Sequence, residues 1–461
     1  MFPTLAAILD NPSINYKGVA ISFLIGNFTL NAYLNYREYK FHDKKEKTPG
    51  VLKNVIDAET FEKSKGYTRD NLKMDMFRQA VSLIRDVARL KCDYYPHFWN
   101  VAHAAVRKLS SLPFVGKFLV VNTISQSVMF FALNFTVSTI ISWVTSYIHT
   151  FHLEERWGFN KYTHAKFAKD KLKEFLVLQV VLAPLVYLFV RILTVFGDSF
   201  IFYAMTFALV AELFVQTIIP NFILPFLYKL YPLEEGPLRK EIEALAKKNG
   251  FPVSQLLVME GSVITSHSNA FMVGLPWCKR IVLFDTLIEQ SSIPEIVAIL
   301  GHEIGHWKLN HIPQMIFRDQ ISHALTFITF SVFAHNESLF RSFGFSQGIS
   351  PLIALILVSY LTWPIDIVNK LQNNLLIRRN EYQADKFASD LGYTNEIASG
   401  LIRLDKKNLT NTTNDWLYAL YNVTHPNLVE RLTAVGYDPS KAETEEKNFE
   451  GSEKIIESVA G

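Results

Sequence analysis

The stretch Phe118–Ile148 has the sequence FLVVNTISQSVMFFALNFTVSTIISWVTSYI and contains no Asp, Glu, Lys or Arg. A helix needs about 20 apolar residues to cross the hydrocarbon core of a bilayer, and a soluble core helix of this length without a charge would be exceptional. Further apolar stretches occupy Lys17–Tyr36, Phe175–Val190, Phe200–Tyr228, Ile321–Ala334 and Leu352–Ile365. The sequence therefore predicts an α-helical integral membrane protein that crosses the bilayer several times.

The composition of the whole chain supports a membrane protein and excludes several other classes. Of 461 residues, 49% are hydrophobic and only 19% are charged, whereas soluble domains carry about 25% charged residues. The formal net charge of +3 excludes a dedicated nucleic-acid-binding protein, which would be strongly basic. With only Cys92 and Cys278, the chain can form neither a disulfide framework nor a cysteine-based zinc cluster. Any metal site must therefore use His, Asp and Glu side chains.

Met74–Arg107 is predicted to form one long helix that is more polar than the other candidate spans. Its apolar residues recur at helical spacing, but it also carries several Arg and Asp residues. Two interpretations remain open: an amphipathic helix on the membrane surface, or a spanning helix whose polar side lines water. The basic loops Arg37–Lys73 and His149–Lys173 fall on the same side of the membrane only in the second case. Loop charge therefore favours seven spans, with Pro232–Ser291 and Asp390–Gly461 in the cytosol.

The residues that carry chemistry are His302-Glu303-Ile304-Gly305-His306. Histidines four positions apart lie on one face of a helix, so both imidazoles can bind one zinc ion. Glu303, next to the first histidine, is placed to deprotonate a water molecule on that ion. A capping-box start at Ser292-Ile-Pro-Glu295 predicts that the motif lies inside a helix. This context disfavours the alternative, which is a pair of ordinary helix-surface histidines.

A catalytic zinc site needs a third protein ligand, and its position in the sequence is less obvious. If the motif helix continues, His311 lies on the opposite face from the two histidines. The next glutamate, Glu337, lies beyond a predicted span and therefore on the other side of the membrane. Glu381 follows on the matching side, and Asp385 lies one turn later, where it can hold a histidine in its metal-binding tautomer. The alternative is that Glu381 and Asp385 belong to a solvated helix face.

Taken together, these features resemble the type I CAAX prenyl proteases, the family of integral-membrane zinc metalloproteases that includes the a-factor-converting and prelamin A proteases. The resemblance covers about Ile14–Tyr437 and is strongest to fungal members. The motifs that carry it are Glu154-Glu-Arg-Trp-Gly-Phe-Asn160, Pro220 with Pro225, Ser268-Asn-Ala270, His302-Glu-Ile-Gly-His-Trp307, Glu381-Tyr-Gln-Ala-Asp385, and His425-Pro with Glu430-Arg431. The zinc motif alone is shared by many proteases, but its combination with about seven candidate spans is far more specific.

The resemblance implies a zinc site and an overall architecture. His302, His306 and Glu381 would bind one zinc ion, and Glu303 would act as the general base and later as the proton donor. The family's membrane helices form a barrel around a large water-filled chamber, which is capped by a small zincin-like α+β metalloprotease domain. Such a chamber would account for the polar helix over residues 74–107, because the charged side of that helix would face water.

The resemblance also implies roles for four further residues. Asn269 would lie beside the substrate backbone on an edge strand, to which an extended peptide can add by main-chain hydrogen bonds. The alternative for Asn269 is an ordinary turn residue. Asp385, His425 and Arg431 would support the zinc ligands or contact the transition state. His267 is not expected to be a ligand.

The sequence and the resemblance together predict four regions. Residues 1–230 would form a membrane region with about five spans, including the polar helix 74–107. Residues 231–291 would form a cytosolic helix and a small sheet, and residues 292–388 the zinc-site helices and the last two spans. Residues 389–461 would form a cytosolic helical region with a charged tail.

The function implied by the resemblance is removal of the C-terminal three residues of prenylated (farnesylated) CaaX proteins, with an additional upstream cut in some substrates. The expected location is the endoplasmic reticulum membrane, or the inner nuclear membrane, with the zinc domain facing the cytosol. One alternative is a quality-control protease that clears misfolded or translocon-stalled membrane proteins, with the translocon as a partner. The other is a non-enzymatic transporter or scaffold.

Overall fold

The computed structural model describes residues 2–44, 48–53, 55–275, 278–346 and 350–438. The predicted charged tail, which begins at Pro439, lies outside these residues. Two clusters of buried hydrophobic side chains organise the described chain. One surrounds a small sheet and the helix that carries the His302–His306 motif, and the other joins helices of the membrane region.

The described residues form eighteen α-helices and four strands. The helices are α1 (Pro3–Leu9), α2 (Tyr16–Asp43), α3 (Ala58–Lys91), α4 (Tyr94–Ser110), α5 (Thr123–Ile148), α6 (His164–Val195), α7 (Phe200–Ile218), α8 (Leu224–Leu227), α9 (Pro237–Asn249), α10 (Asp285–Gln290), α11 (Ile293–Lys308), α12 (His311–Phe333), α13 (Glu337–Ser342), α14 (Pro351–Ser359), α15 (Trp363–Ala388), α16 (Thr394–Asn408), α17 (Trp416–Asn422) and α18 (Leu428–Ala434). The strands are β1 (Leu230–Pro232), β2 (Val253–Met259), β3 (Ala270–Leu275) and β4 (Cys278–Phe284). π-helical turns over Ile219–Ile223 and Ser389–Tyr393 join neighbouring helices, and one over His149–Glu154 extends α5.

Three helical segments among the described residues are long and apolar enough to cross a membrane: Thr123–Glu154, His164–Val195 and Phe200–Leu227. A fourth candidate consists of Pro351–Ser359 and Trp363–Asn408, two segments that meet at an angle of 72°. The predicted count of about seven spans is therefore not confirmed. Helices α2 and α12 have the necessary length, but polar side chains interrupt their apolar stretches, so their composition alone does not mark them as spans.

The prediction of a single helix over Met74–Arg107 is wrong, because the structure divides this stretch into α3 and α4. The break lies at Asp93, which adopts a left-handed conformation with φ of 47° that aspartate tolerates better than most residues. Asp93 also pairs with Lys17 of α2 at 2.6 Å, so a tertiary contact supports the break. Some of the charged side chains of α3 pair with each other; Arg85, for example, pairs with Asp86 at 2.8 Å. Such pairing reduces the cost of placing charges among apolar helices.

The four strands form one sheet in the order β1-β2-β4-β3. The central strands β2 and β4 are parallel, and the outer strands β1 and β3 are each antiparallel to their neighbour. Val258, Ile281 and Leu283 of the central strands are at most 3% exposed and belong to the same buried cluster as Ile296 and Leu300 of α11. The strand order places β3 at one edge of the sheet, and the packing of the sheet against α11 brings this edge beside the helix that carries the motif.

The segment that leads into α17 is attached to α2 through one buried carboxylate, that of Glu38. One oxygen of this fully buried side chain accepts hydrogen bonds from the amides of Asn411 and Asn414, both at 2.8 Å. The other oxygen accepts a hydrogen bond from the backbone N–H of Asp415 at 2.7 Å. His42, one turn along α2, contacts the same carboxylate at 3.0 Å. Glu38 thus joins the first long helix to the segment before α17, together with Arg37, which donates two hydrogen bonds to the Asp415 carboxylate at 2.8 and 3.0 Å.

Replacing Glu38 with alanine is expected to destabilise the fold, because it leaves partly buried donors on Asn411, Asn414 and Asp415 without this acceptor. A fully buried unpaired donor costs about 1–3 kcal/mol and a partly buried one less, so the three together should clearly lower the temperature of thermal unfolding in detergent. Asp43→Ala is the matched control, because Asp43 lies on the same helix with a side chain that is 46% exposed. Surface substitutions of that kind change stability by about 0.5 kcal/mol or less. Equal shifts in the two variants would contradict the role of Glu38.

Candidate metal centre

Helix α11 presents the two histidines of the motif on one side. It begins with a capping box, in which Glu295 accepts hydrogen bonds from the backbone N–H and the hydroxyl of Ser292 at 2.8 and 2.9 Å. Its other side is packed into the core, where Ile296 is 1% exposed. The Nε2 atoms of His302 and His306 then lie 3.1 Å apart, as expected for residues on the same face of a helix.

Glu381 of α15 completes a group of three potential metal ligands. Its carboxylate oxygens lie 3.6 Å from Nε2 of His302 and 3.4 Å from Nε2 of His306. Ligand atoms about 2.0–2.1 Å from a tetrahedral zinc ion lie about 3.3 Å from one another. Two imidazoles and one carboxylate at these separations therefore fit zinc. Within the described part of the chain, no other group of three His, Cys, Asp or Glu side chains could hold a metal ion.

The glycine of the motif, Gly305, allows α15 to approach α11 closely. A Cβ atom at this position would lie 3.2 Å from Cα of Ala384 and 3.1 Å from Cβ of Phe387. Gly301, one turn earlier, faces Ala388, whose Cβ would lie 3.6 Å from an added Cβ. Small residues on both helices thus bring the third ligand within reach of the histidines.

Asp385 holds His302 from the side opposite the ligand group. Its carboxylate accepts a hydrogen bond at 2.8 Å from Nδ1 of His302, which leaves the lone pair of Nε2 free for a metal. Arg431 of α18 donates two hydrogen bonds to the same carboxylate, at 2.6 and 2.8 Å. Burial alone would raise the pKa of Asp385, but the hydrogen bonds from Arg431 and His302 lower it to about 2. Asp385 is therefore ionised at neutral pH and fixes the orientation of the His302 ring.

His425 and Arg431 also approach the Glu381 carboxylate. Nδ1 of His425 lies 3.0 Å from Oε2 of Glu381, and Nη2 of Arg431 lies 3.9 Å from the same oxygen. Burial would raise the pKa of Glu381, but the neighbouring imidazoles of His306 and His425 hold it far below its usual range. The His425 side chain is 66% exposed, so it remains accessible to a ligand.

Glu303 lies beside the ligand group, where it is surrounded by protein and yet partly accessible to water. Burial raises the pKa of its carboxyl group, whereas positive charge on His302 and His306 acts in the opposite direction. A carboxyl group with a raised pKa is suited to accepting a proton and returning it. This property makes Glu303 the candidate acid–base group of the site.

The predicted position of His311 is wrong, because α11 ends before this residue. The helix stops at Lys308, and Asn310 adopts a left-handed conformation with φ of 56° before α12 begins. The resulting turn brings Nδ1 of His311 to 2.9 Å from Nδ1 of His306. Burial lowers the pKa of His311 to about 4, so its ring is neutral at pH 7. Asn310, a residue type that tolerates this conformation, is the sequence signal that could have indicated the turn.

Asn269 and His267 lie apart from the three ligands. Asn269 directly precedes the edge strand β3, and its carbonyl accepts a hydrogen bond from the N–H of Phe284 at 3.0 Å. The ring nitrogens of His267 face Glu154 at 3.1 Å and Asn408 at 3.3 Å. The structure therefore gives His267 other partners and leaves Asn269 at the start of the open sheet edge.

Glu154 connects the membrane region to the loop before β3. Its carboxylate accepts a hydrogen bond from the hydroxyl of Tyr67 on α3 at 2.7 Å, in addition to its contact with His267. The π-helical turn His149–Glu154 that continues α5 carries this carboxylate. The sequence of Glu154–Asn160 marks this stretch only as a motif, because nothing in its spacing shows that it touches a loop more than a hundred residues away.

Two family models match the chain, and together they cover most of it. Residues 38–229 match a model described as "CAAX prenyl protease N-terminal, five membrane helices". Residues 232–437 match the model of peptidase family M48, and this range contains all three potential metal ligands.

Several curated proteins resemble the chain over nearly its full length. CAAX prenyl protease 1 of Saccharomyces cerevisiae is 39% identical, over 95% of this chain and 99% of that protein. The human CAAX prenyl protease 1 homolog is 32% identical, over 94% of this chain and 98% of that protein. The crystal structure of S. mikatae Ste24p superimposes with a TM-score of 0.85 and 38% identity, covering 92% of this chain and 100% of that chain.

Gly305→Val is expected to weaken metal binding, because its side chain would push α15, and with it Glu381, away from the two histidines. Displacement of a supporting contact typically costs about 10–100-fold in metal affinity, and competition with a chelator would measure the loss. Gly301→Ala is the matched control, because the added Cβ would make only an ordinary contact with Ala388 at 3.6 Å. Wild-type affinity in Gly305→Val would contradict the proposed importance of the close approach.

Proposed function

The chain belongs to the CAAX prenyl proteases of peptidase family M48, and on this premise we propose that it is a zinc endopeptidase that removes the last three residues of prenylated CaaX proteins. Membership of this family makes it a multi-pass membrane metalloprotease. The observation that carries the proposal is the meeting of His302, His306 and Glu381 at ligand distances. The proposed substrate class follows from the names of relatives that match along nearly the whole chain.

Zinc is the metal that the ligand group favours. His302, His306 and Glu381 would hold it and leave one position open for water, as in other catalytic zinc sites. A bound zinc ion supplies Lewis acidity and lowers the pKa of water to about 7. Asp385 keeps His302 in the tautomer that binds a metal, because it accepts a hydrogen bond from Nδ1–H.

Glu303 is the residue that we expect to move protons. As a carboxylate it takes a proton from the attacking water, and as a carboxylic acid it gives that proton to the nitrogen of the leaving peptide. Burial raises the pKa of Glu303, so its carboxylate accepts a proton more readily than an exposed carboxylate does. A positioned acid–base group of this kind typically contributes about 10²–10⁴-fold in rate.

The edge strand β3 offers the substrate a place to bind. One side of β3 pairs with β4, and no described strand covers its other side, so an extended peptide can add to it by main-chain hydrogen bonds. Asn269, at the start of this edge, would contact the peptide backbone. His425 and Arg431 would stabilise the negative charge that develops on the carbonyl oxygen of the cleaved bond, since both lie within 4 Å of Glu381.

A water-filled chamber between the membrane helices would bring the peptide to this site. Only 6%, 11% and 6% of the residues in the most apolar part of the three apolar segments are buried, so most of their surface is free to face lipid or an internal space. Glu303 and Asp405 are surrounded by protein and yet accessible to water. Both observations favour an internal space that keeps the peptide in water while the prenyl chain contacts apolar helices.

Loop charge supports an orientation in which the metal centre lies on the cytosolic side of the membrane. We propose that this membrane is that of the endoplasmic reticulum. The basic loops Arg37–Lys73 and His149–Lys173 would then obey the tendency of Lys and Arg to remain on the cytosolic side. Prenylated proteins would reach the centre from the cytosol. The same centre would also make an upstream cut in substrates whose chain extends further along β3.

Glu303→Ala is expected to abolish cleavage of a farnesylated CaaX peptide while leaving metal binding intact, because the three ligands remain and only the acid–base group is lost. Activity should fall by about 10²–10⁴-fold, and zinc content should stay at one per chain. Purified protein, a fluorogenic peptide and elemental analysis give both quantities. Glu337→Ala serves as the control, because the Glu337 side chain is 70% exposed and pairs with Arg341 one turn along the same helix. Full activity in Glu303→Ala would refute the proposed role.

A farnesylated peptide is expected to be cleaved with a higher kcat/KM than the same peptide without the lipid. Burial of apolar surface is worth about 25 cal/mol per Å², so even partial burial of the farnesyl chain should favour the lipidated peptide at least about tenfold. The two peptides should be compared in the same detergent, at concentrations below micelle formation by the substrate. Equal cleavage of both would favour the general quality-control protease instead.

A further inference from the structure

Both ring nitrogens of His306 have partners, but only the partners of Nε2 belong to the ligand group. Nε2 faces His302 and Glu381 at 3.1 and 3.4 Å. Nδ1, on the other side of the ring, lies 2.9 Å from Nδ1 of His311. His311 is 1% exposed, and its own Nε2 lies 3.1 Å from Oε1 of Gln383 on α15. A continuous line of short contacts therefore runs from Gln383 through two imidazoles to the ligand group.

The protons in this line can be assigned from the ligand requirement alone. A metal binds the lone pair of a neutral imidazole nitrogen, so Nε2 of His306 carries no proton and Nδ1 carries it. At 2.9 Å that Nδ1–H must donate to Nδ1 of His311, which therefore accepts. The single proton of His311 is then on Nε2, and it is donated to the amide oxygen of Gln383. Each contact has one donor and one acceptor in this arrangement.

We propose that His311 is a positioning residue for the metal centre, which holds His306 in its metal-binding tautomer and orientation and is itself held by Gln383. This inference rests on the proposed zinc site. His311 is not a fourth ligand, because it contacts the nitrogen of His306 that points away from His302 and Glu381. The two histidines of the motif are thus supported differently, His302 by the Asp385 carboxylate and His306 by a neutral imidazole.

The charge of the site gives a reason for a neutral partner. The site already contains three carboxyl groups, those of the ligand Glu381, of Asp385 and of the acid–base group Glu303. Arg431 is the cation that pairs directly with Asp385. A third ionised carboxylate beside His306 would add negative charge to a buried site, where unpaired charge is costly. An imidazole accepts the same hydrogen bond without adding charge. Histidine at position 311 therefore fixes the His306 ring without adding a negative charge near Glu303.

The experiment compares the zinc affinity of the full-length wild-type protein with that of His311→Phe and His311→Gln, by competition with a chelator. Phe fills the space without an acceptor, and we expect it to lower the affinity about 10–100-fold, as for other residues that orient metal ligands. Gln keeps an acceptor oxygen and should recover most of the loss. His323→Phe on the same helix is the control and should bind zinc as the wild type does.

Two further measurements separate positioning from a structural role. Thermal unfolding of the metal-free proteins should be similar for wild type and His311→Phe, whereas the visible absorption of the cobalt-substituted variant should shift because the ligand geometry changes. Gln383→Leu, which removes the acceptor for His311 but leaves both imidazoles, should lower zinc affinity by a smaller factor. This variant tests the proposal even if His311→Phe fails to fold.

The possible outcomes distinguish this inference from the proposed function. Zinc affinity within about threefold of wild type in His311→Phe and Gln383→Leu would overturn the positioning role and leave the zinc protease intact. A wild-type protein that is folded but binds no zinc would overturn both. Equal loss of zinc affinity in His311→Phe and His311→Gln, with a lower unfolding temperature in both metal-free variants, would show that His311 acts only by packing.

Discussion

The close approach of α11 and α15 is the constraint on which the rest of the structure depends. Gly305 leaves room for the backbone of Ala384, and Gly301 meets Ala388 one turn away. Because interiors pack densely, this contact fixes the height and rotation of α15 against the motif helix. Glu381 then reaches two histidines that lie about eighty residues earlier in the chain. The glycine inside the motif is therefore as important for the site as its charged neighbours.

Helices from distant parts of the sequence hold the ligand group in place. Arg431 of α18 donates a hydrogen bond to Asp385 of α15, and Asp385 in turn accepts one from His302. His306 is supported by His311 of α12. A geometry set by several packed helices is more rigid than one set by a loop, which favours catalysis by positioned groups. It also makes the site dependent on the whole fold.

The membrane region and the protease region are joined by buried polar contacts. Glu38 of α2 binds the segment before α17, and Glu154 binds both Tyr67 and the loop that leads into β3. Buried carboxylates are stable only when their hydrogen bonds are satisfied, so each contact fixes a specific relation between the two regions. The proposed substrate edge at Asn269 is thereby positioned by residues of the membrane helices as well as by the sheet.

The sequence by itself determined the features that depend on local pattern. Long apolar stretches predicted membrane helices such as Phe118–Ile148, and the spacing of His302 and His306 predicted one ligand face, because both follow from the dimensions of a helix. Only the tertiary structure decided where helices end. The breaks at Asp93 and Asn310 have only a weak local signal, namely a residue type that tolerates the left-handed conformation, and contacts formed after folding decide whether the chain adopts it. The tertiary structure therefore decided the partner of His306 and the division of the polar helix, because both depend on contacts between residues far apart in sequence.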